Sequence, residues 1–583
     1  MKYNINAFNG AVRYYEKLLA KYKKKTILIL ANINNDPAFY SIAPLSRAIH
    51  NLKADMHVMF YNQQSNTYPL LKDVWDAYED LKKGVKDKRT LALKEFITIV
   101  DKKAKGEFDK IFGPPDLILN ADKAHFTAPK LVLDFKTKWF RKYRWKTLMQ
   151  TSRVIWKQVY NLKPNEKVGF GFELILREKD MGHSLEDYLD SYAISRAMLK
   201  AIPNKHKAMG AATSRFSQLE LGERIGELKA TIIGCELSKD INELVFKKYQ
   251  KLSKLLKLDR IKFNDAVFAI HAKGYTGKHI FGDFFGYPTP DRKSRWPTPG
   301  GILYKFDWYP QTKHESRDPK TRIGFTETLP IDIFIETCNI DWLAMQKRNN
   351  KIMQVENKSD KIVVKSKKSN FEVFLTGKHG RRRVKGSDVD TRHKFNREYY
   401  KRTGIKAGTM ANLPGGEAFV TPEYIKGTFY GDVVISVDQS YLLDPKNPLV
   451  IKCNEKGYKI VRGPEKIIKK IKQKKGEAWK HLLEQEKHKS VPKSIIELKK
   501  KNFENIGEFA INTHPKAKLC DYLIVNEKIA NMIHIALGAG FDADRSTDYH
   551  YDIVINAKEQ KMDIYGVKGQ NKYYILKKGK FVV

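Results

Sequence analysis

Residues 26 to 33, TILILANI, form an apolar run the length of one strand. Residues 41 to 52, SIAPLSRAIHNL, repeat apolar positions at helical spacing, and MHVMFYN at 56 to 62 is again strand-like. This β-α-β rhythm commits the start of the chain to helices laid over a mainly parallel sheet, because parallel neighbours need a crossover connection. LLKDVWDAYEDLKKGVKD and LALKEFITIVDKKAKGEF continue as helices, and GPPDLILNAD and PKLVLDF as strands. Neither GxGxxG nor GxxxxGK[ST] interrupts the pattern, so a nucleotide cradle is not indicated.

The rhythm ends in residues 273 to 328, where KGYTGKHIFGDFFGYPTPDRKSRWPTPGGILYKFDWYP mixes glycine, proline and aromatics. Such density breaks helices and central strands and predicts a loop-rich insertion, read as a lid or contact loop. After Pro330, IDIFIETC reads as a strand and WLAMQKRNNKIMQVENKS as a helix. KIVVKS and FEVFLTGKHGRRRV read as a strand pair. From Glu417 the short alternating runs AFVTP, GTFYGDVVISVD, PLVIKC and YKIVRG predict β structure, and a basic helical stretch covers 464 to 501. The expected architecture is an α/β region over 1–330 followed by an α+β domain rich in short strands over 331–583. At 583 residues, two or three domains are expected.

Composition narrows the class. With 42% hydrophobic residues the chain is globular. Cys235, Cys338, Cys453 and Cys520 stand far apart with no CxxC pair, which reads as reduced thiols in a cytoplasmic protein. No run approaches the roughly 20 apolar residues that span a bilayer, so no membrane role is expected. The extreme number is charge: 108 Lys+Arg against 66 Asp+Glu, a net +42. Such a field attracts polyanions. Yet the lysines are dispersed, as in KYKKK and KKIKQKK, and the denser Arg381, Arg382 and Arg383 come with no base-reading or stacking motif.

Four segments place acidic or imidazole groups in unusual settings. Pro414, Gly415 and Gly416 let the chain turn sharply and deliver Glu417 at the start of a strand. Glu508 follows Gly507 directly. NEKIANMIHIALGAG reads as a helix with Asn526 as N-cap and Gly538 at its end, carrying His534. In STDYHYDIVI, His550 and Asp552 are two apart and so share one side of a strand. Each is weak alone. Together they offer two imidazoles and three carboxylates, a donor set suited to zinc, cobalt or manganese.

In this order, NLPGGEAFVTP, NIGEFAINTHPKA, NEKIANMIHIALGAGF and STDYHYDIVI resemble the motif series of the aminopeptidase T family of two-metal leucyl aminopeptidases, across about 405 to 556. The resemblance implies two divalent metal ions held by Glu417, Glu508, His534, His550 and Asp552, with Glu417 the candidate bridging ligand. It also implies Glu508 or Glu527 as proton carrier, peptide substrates and a homodimer. Two departures stand out. Phe541 replaces the family's tyrosine, with Tyr549 and Tyr551 nearby. Glu527, the only match for a carboxylate ahead of the histidine, lies seven residues before His534, roughly 10 Å along a helix.

The expected function is removal of N-terminal residues from peptides by a metal-activated water. The alternative is a basic protein that keeps the metallopeptidase fold, has reduced catalysis, and binds nucleic acid or an acidic partner. Nucleic-acid binding is the less expected outcome.

Overall fold

The computed structural model of the protein describes residues 3–32, 35–61, 67–104, 114–122, 142–163, 166–171, 175, 184–203, 207–208, 211–213, 251–252, 254–256, 266–271, 322–377, 383, 385–391, 405–406, 410–487, 493–540, 544–545 and 547–583. The insertion at 273–328 lies outside them except for its end, where Arg322–Glu327 is a strand. PKLVLDF, Cys235 and Phe541 also lie outside.

Thr26–Asn32 pairs in parallel with Asp55–Tyr61 on one side and Leu117–Asn120 on the other, and Ala211–Thr213 closes the sheet antiparallel to Asp55–Tyr61. The crossover helix Asp36–Asn51 starts where the Asn35 side chain accepts from Ala38 N, with a proline in its first turn. It buries Phe39, Ile42, Leu45 and Ile49 against the sheet's core. A second, six-stranded sheet has a parallel centre of Lys167–Gly171, Ala266–His271 and Arg322–Glu327, and its edge takes in Met410–Asn412 and Val389–Asp390. Strands on both sides of residue 330 therefore share one sheet.

Two eight-stranded sheets form the remainder. One holds Lys361–Lys365 and Asn370–Phe374, the strand pair that the sequence predicts, here antiparallel, beside Tyr424–Gly431 and Asp563–Lys568. The other orders Lys385–Ser387, Glu417–Val420, Ile506–Asn512, Ile533–Gly538, His550–Ile555 and Val434–Ser436 as neighbours. Their facing side chains make one core: Ile362, Val364, Phe371, Val373 and Phe429 from the first, and Val420, Phe509, Ile511, Ile533, Ile535, Leu537, Ile553 and Ile555 from the second. Alternation then sends Glu417, Glu508, His534, His550 and Asp552 to the opposite face of the second sheet.

Two elements differ from the sequence reading. IDIFIETC is a helix, Ile331–Cys338, because Ile331, Phe334 and Cys338 recur at helical spacing and are all buried. A short apolar run does not by itself separate the two periods. NEKIANMIHIALGAG is not a helix. A single turn, Leu523–Asn526, ends at Asn526, which is thus not an N-cap; Asn531 then takes a left-handed conformation (φ 62°) and the chain enters the strand Ile533–Gly538. Ile533 and Leu537 fit i, i+4, but with Ile535 they also fit period two, and sheet pairing on both sides decides.

The basic stretch forms helices Glu465–Lys487 and Lys493–Lys501. Lys499 Nζ reaches Asp548 Oδ1 at 2.8 Å, and His481 Nδ1 lies 3.2 Å from Asp548 Oδ2, which pins these helices to the chain just before His550. Arg383 is buried against Glu423 and Asp544, an internal bridge and not a free phosphate contact. Among the described residues no helix is long and apolar enough to cross a membrane.

Candidate metal centre

Strand register assembles the site. Asp552 pairs with Ala536, and Ala536 with Glu508, so the two carboxylates flank a small residue on the middle strand. His534 sits two residues before Ala536 on the same face, and His550 pairs with Gly538 two residues after it. Glu417 enters from the next strand, where it pairs with Asn512. The five residues converge as two groups, Glu417, Glu508 and His534 on one side and Glu508, His550 and Asp552 on the other. In each group the donor atoms lie within 4.8 Å of one another. Glu508, and not Glu417, is common to both.

Backbone features aim these side chains. Asp388 Oδ1 accepts from Gly416 N at 2.9 Å and Glu417 N at 3.0 Å, and Asn349 Nδ2 donates to Glu417 O at 2.8 Å. Gly416 has φ +153°, and a Cβ there would press on His514, so the turn before Glu417 demands glycine. A bulge between Ile506 and Glu508 brings Gly507 against the Ala539 carbonyl.

Both imidazoles are held by their outer nitrogen. His534 Nδ1 is 2.8 Å from Asn512 Oδ1, and His550 Nδ1 is 2.7 Å from Ala539 O. With the Nδ1 proton donated outward, the neutral form of each imidazole turns Nε2 inward as a lone pair. His534 Nε2 lies 3.5 Å from both Glu417 Oε2 and Glu508 Oε1. His550 Nε2 lies 3.3 Å from Glu508 Oε2 and 3.2 Å from Asp552 Oδ1. Ligands about 2.1 Å from a tetrahedral cation are separated by roughly 3.4 Å, and these spacings fit that figure.

A third layer was not legible in the sequence. Lys528, 1% exposed, places Nζ 2.6 Å from Glu417 Oε2, 2.9 Å from Glu527 Oε1 and 3.1 Å from Asp388 Oδ2. One lysine among 108 basic residues carries no signal, and Asp388 lies in an unremarkable GSDVD. The separation of Glu527 from His534 along a helix does not apply, since no helix joins them; its carboxyl feels both Asp552 and His534. Tyr549 and Tyr551 pack into the sandwich core, with Tyr549 OH on Tyr458 OH, on the face opposite the His/carboxylate groups.

The site concentrates negative charge. Five carboxylates (Asp388, Glu417, Glu508, Glu527 and Asp552) surround one ammonium and two imidazoles. Burial, then the neighbouring Asp388, push the Glu417 carboxyl well above its usual range against the pull of Lys528. Burial would also raise Glu508, but His534 and His550 bring it down to about 2, and they lower Asp552 in the same way. Burial pulls His534 and His550 down, and the carboxylates facing them more than reverse this. Glu508 Oε1 and Asp552 Oδ1 are buried acceptors that make no hydrogen bond. Two divalent cations would balance the excess negative charge and satisfy both oxygens. The residues present therefore fit a two-metal group of the kind the donor set suggests.

No family model and no curated protein matches the sequence. A solved structure titled "Wild-type AmpT from Thermus thermophilus" is similar over 75% of this chain and 99% of that one, at 12% sequence identity and a TM-score of 0.38, a likeness too distant to carry an argument about activity.

Proposed function

We propose that the chain is a metal-dependent aminopeptidase that hydrolyses the first peptide bond of peptides, with Glu417, Glu508, His534, His550 and Asp552 as ligands of two divalent cations. The observation that supports it most is Glu508 shared between two His/carboxylate groups whose imidazoles are both fixed outward at Nδ1. The ordered motifs around these residues, which resemble aminopeptidase T, select the peptidase reaction from among metal-assisted hydrolyses. Bound there, the cations would supply the Lewis acidity that activates water and polarises a carbonyl.

The chain's own residues do the rest. Glu508 joins the two positions, and Asn512 and the Ala539 carbonyl hold the imidazoles in the ligating tautomer. Glu527, whose carboxyl is raised by burial despite Lys528, is suited to hold a proton and pass it at the edge of the site. The His550 side chain is 33% exposed while the other ligand side chains are nearly closed off, so the substrate approaches past His550.

The test is hydrolysis of aminoacyl p-nitroanilides by the metal-stripped protein before and after zinc, cobalt or manganese is added, with N-acetylated substrates as controls. Metal-dependent cleavage of the free-amine substrates only is expected, and His550→Ala and Asp552→Ala should each abolish it. No cleavage by the metal-loaded protein, or cleavage that survives both substitutions, would defeat the reading. Nanomolar nucleic-acid binding at about 0.15 M salt combined with no hydrolysis would favour the basic binding protein instead.

A further inference from the structure

The Glu417 oxygen that faces His534 Nε2 is Oε2, and the same atom holds Lys528 Nζ at 2.6 Å. One carboxylate oxygen is thus claimed from two sides. The ammonium is enclosed, with Glu527 Oε1 and Asp388 Oδ2 as its other partners, and Asp388 is itself 0% exposed and fixed by the backbone amides of Gly416 and Glu417. The far end of the site differs. Among the described residues no lysine or arginine pairs with Glu508 or Asp552, whose ion-pair partners are His534 and His550.

Resting on the two-metal reading above, we propose that Lys528 is a built-in cation that makes the two metal positions unequal. The position formed by Glu508, His550 and Asp552 takes its cation tightly. The position formed by Glu417, Glu508 and His534 takes one weakly, because the ammonium shares its Glu417 oxygen and adds like charge beside it. The weak position then fills only when free metal is abundant, so occupancy of that position, and not of the site as a whole, follows the metal supply.

Calorimetric titration of the metal-stripped full chain with zinc, and separately with manganese, tests this. The unmodified protein should show two binding events of clearly different affinity. Lys528→Met keeps the side chain's length without its charge, and should tighten the weaker event by at least about tenfold while changing the tighter one far less. Asp388→Asn shifts the ammonium's load onto Glu417 and should weaken the same event, so the two variants move it in opposite directions. If Lys528→Met does not fold, Asp388→Asn carries the test alone. Equal affinities in the unmodified chain, or a gap that neither variant alters, would overturn the inference while leaving the metal reading in place. Absence of any binding in the unmodified chain would overturn both.

Discussion

Glu508 and Asp552 flank Ala536 from opposite sides, each paired with it across the sheet. Ala536 is fully buried and shares their face, so its methyl group is the floor of the space between them. Ala536→Leu should fill that space. The expected result is loss of metal binding by titration, with a stability cost of about 1–3 kcal/mol from overpacking, read as a lower denaturation midpoint. A variant that binds metal normally would show that Ala536 does not border the site.

Gly507 makes a similar demand from the backbone. A Cβ there would collide with the Ala539 carbonyl, the same carbonyl that fixes His550 Nδ1. Gly507→Ala should therefore displace both Glu508 and His550. Metal affinity should fall by about tenfold or more, as for loss of an outer ligand partner, and thermal stability should fall with it. Unchanged metal affinity would separate the bulge from the site.

His514 supplies a pH prediction. Its Nε2 donates to Thr337 O at 2.8 Å, while Nδ1 accepts from Ala517 N at 2.8 Å and Lys516 N at 3.1 Å. Burial, against the help of the Thr337 carbonyl, pulls the imidazole down from 6.5 to about 4. Between these values the unfolded chain binds a proton that the folded one refuses, so stability falls as pH drops from 6.5 to 4. The loss attributable to His514 is up to about 3 kcal/mol. Urea denaturation of the unmodified chain and of His514→Gln across this range should show a shallower decline in the variant; parallel curves would contradict the assignment.

The chemistry of the site was more legible than its geometry. Glu417, Glu508, His534, His550 and Asp552 stand out because carboxylates and imidazoles occur beside glycine or inside apolar runs, and His550 and Asp552 sit at strand spacing. The strand carrying His534 reads as a helix in the sequence because Ile529, Ile533 and Leu537 also satisfy helical spacing. Only neighbours drawn from Ile506–Asn512 and His550–Ile555 choose between the two periods. Asn349, Asp388, Asn512 and Lys528 could not be found by local pattern, since their residue types are common and their partners come from distant segments. The shared role of Glu508 is likewise a property of register, which places it across Ala536 from Asp552 and beside His534.

The central claim is that Glu508 serves both cation positions while Glu417 serves one. Metal stoichiometry, measured by elemental analysis after equilibrium dialysis against excess zinc, tests it in the unmodified chain, Glu417→Gln and Glu508→Gln. The account predicts two, one and none in that order; retention of two cations by Glu508→Gln, or loss of both by Glu417→Gln alone, would contradict it.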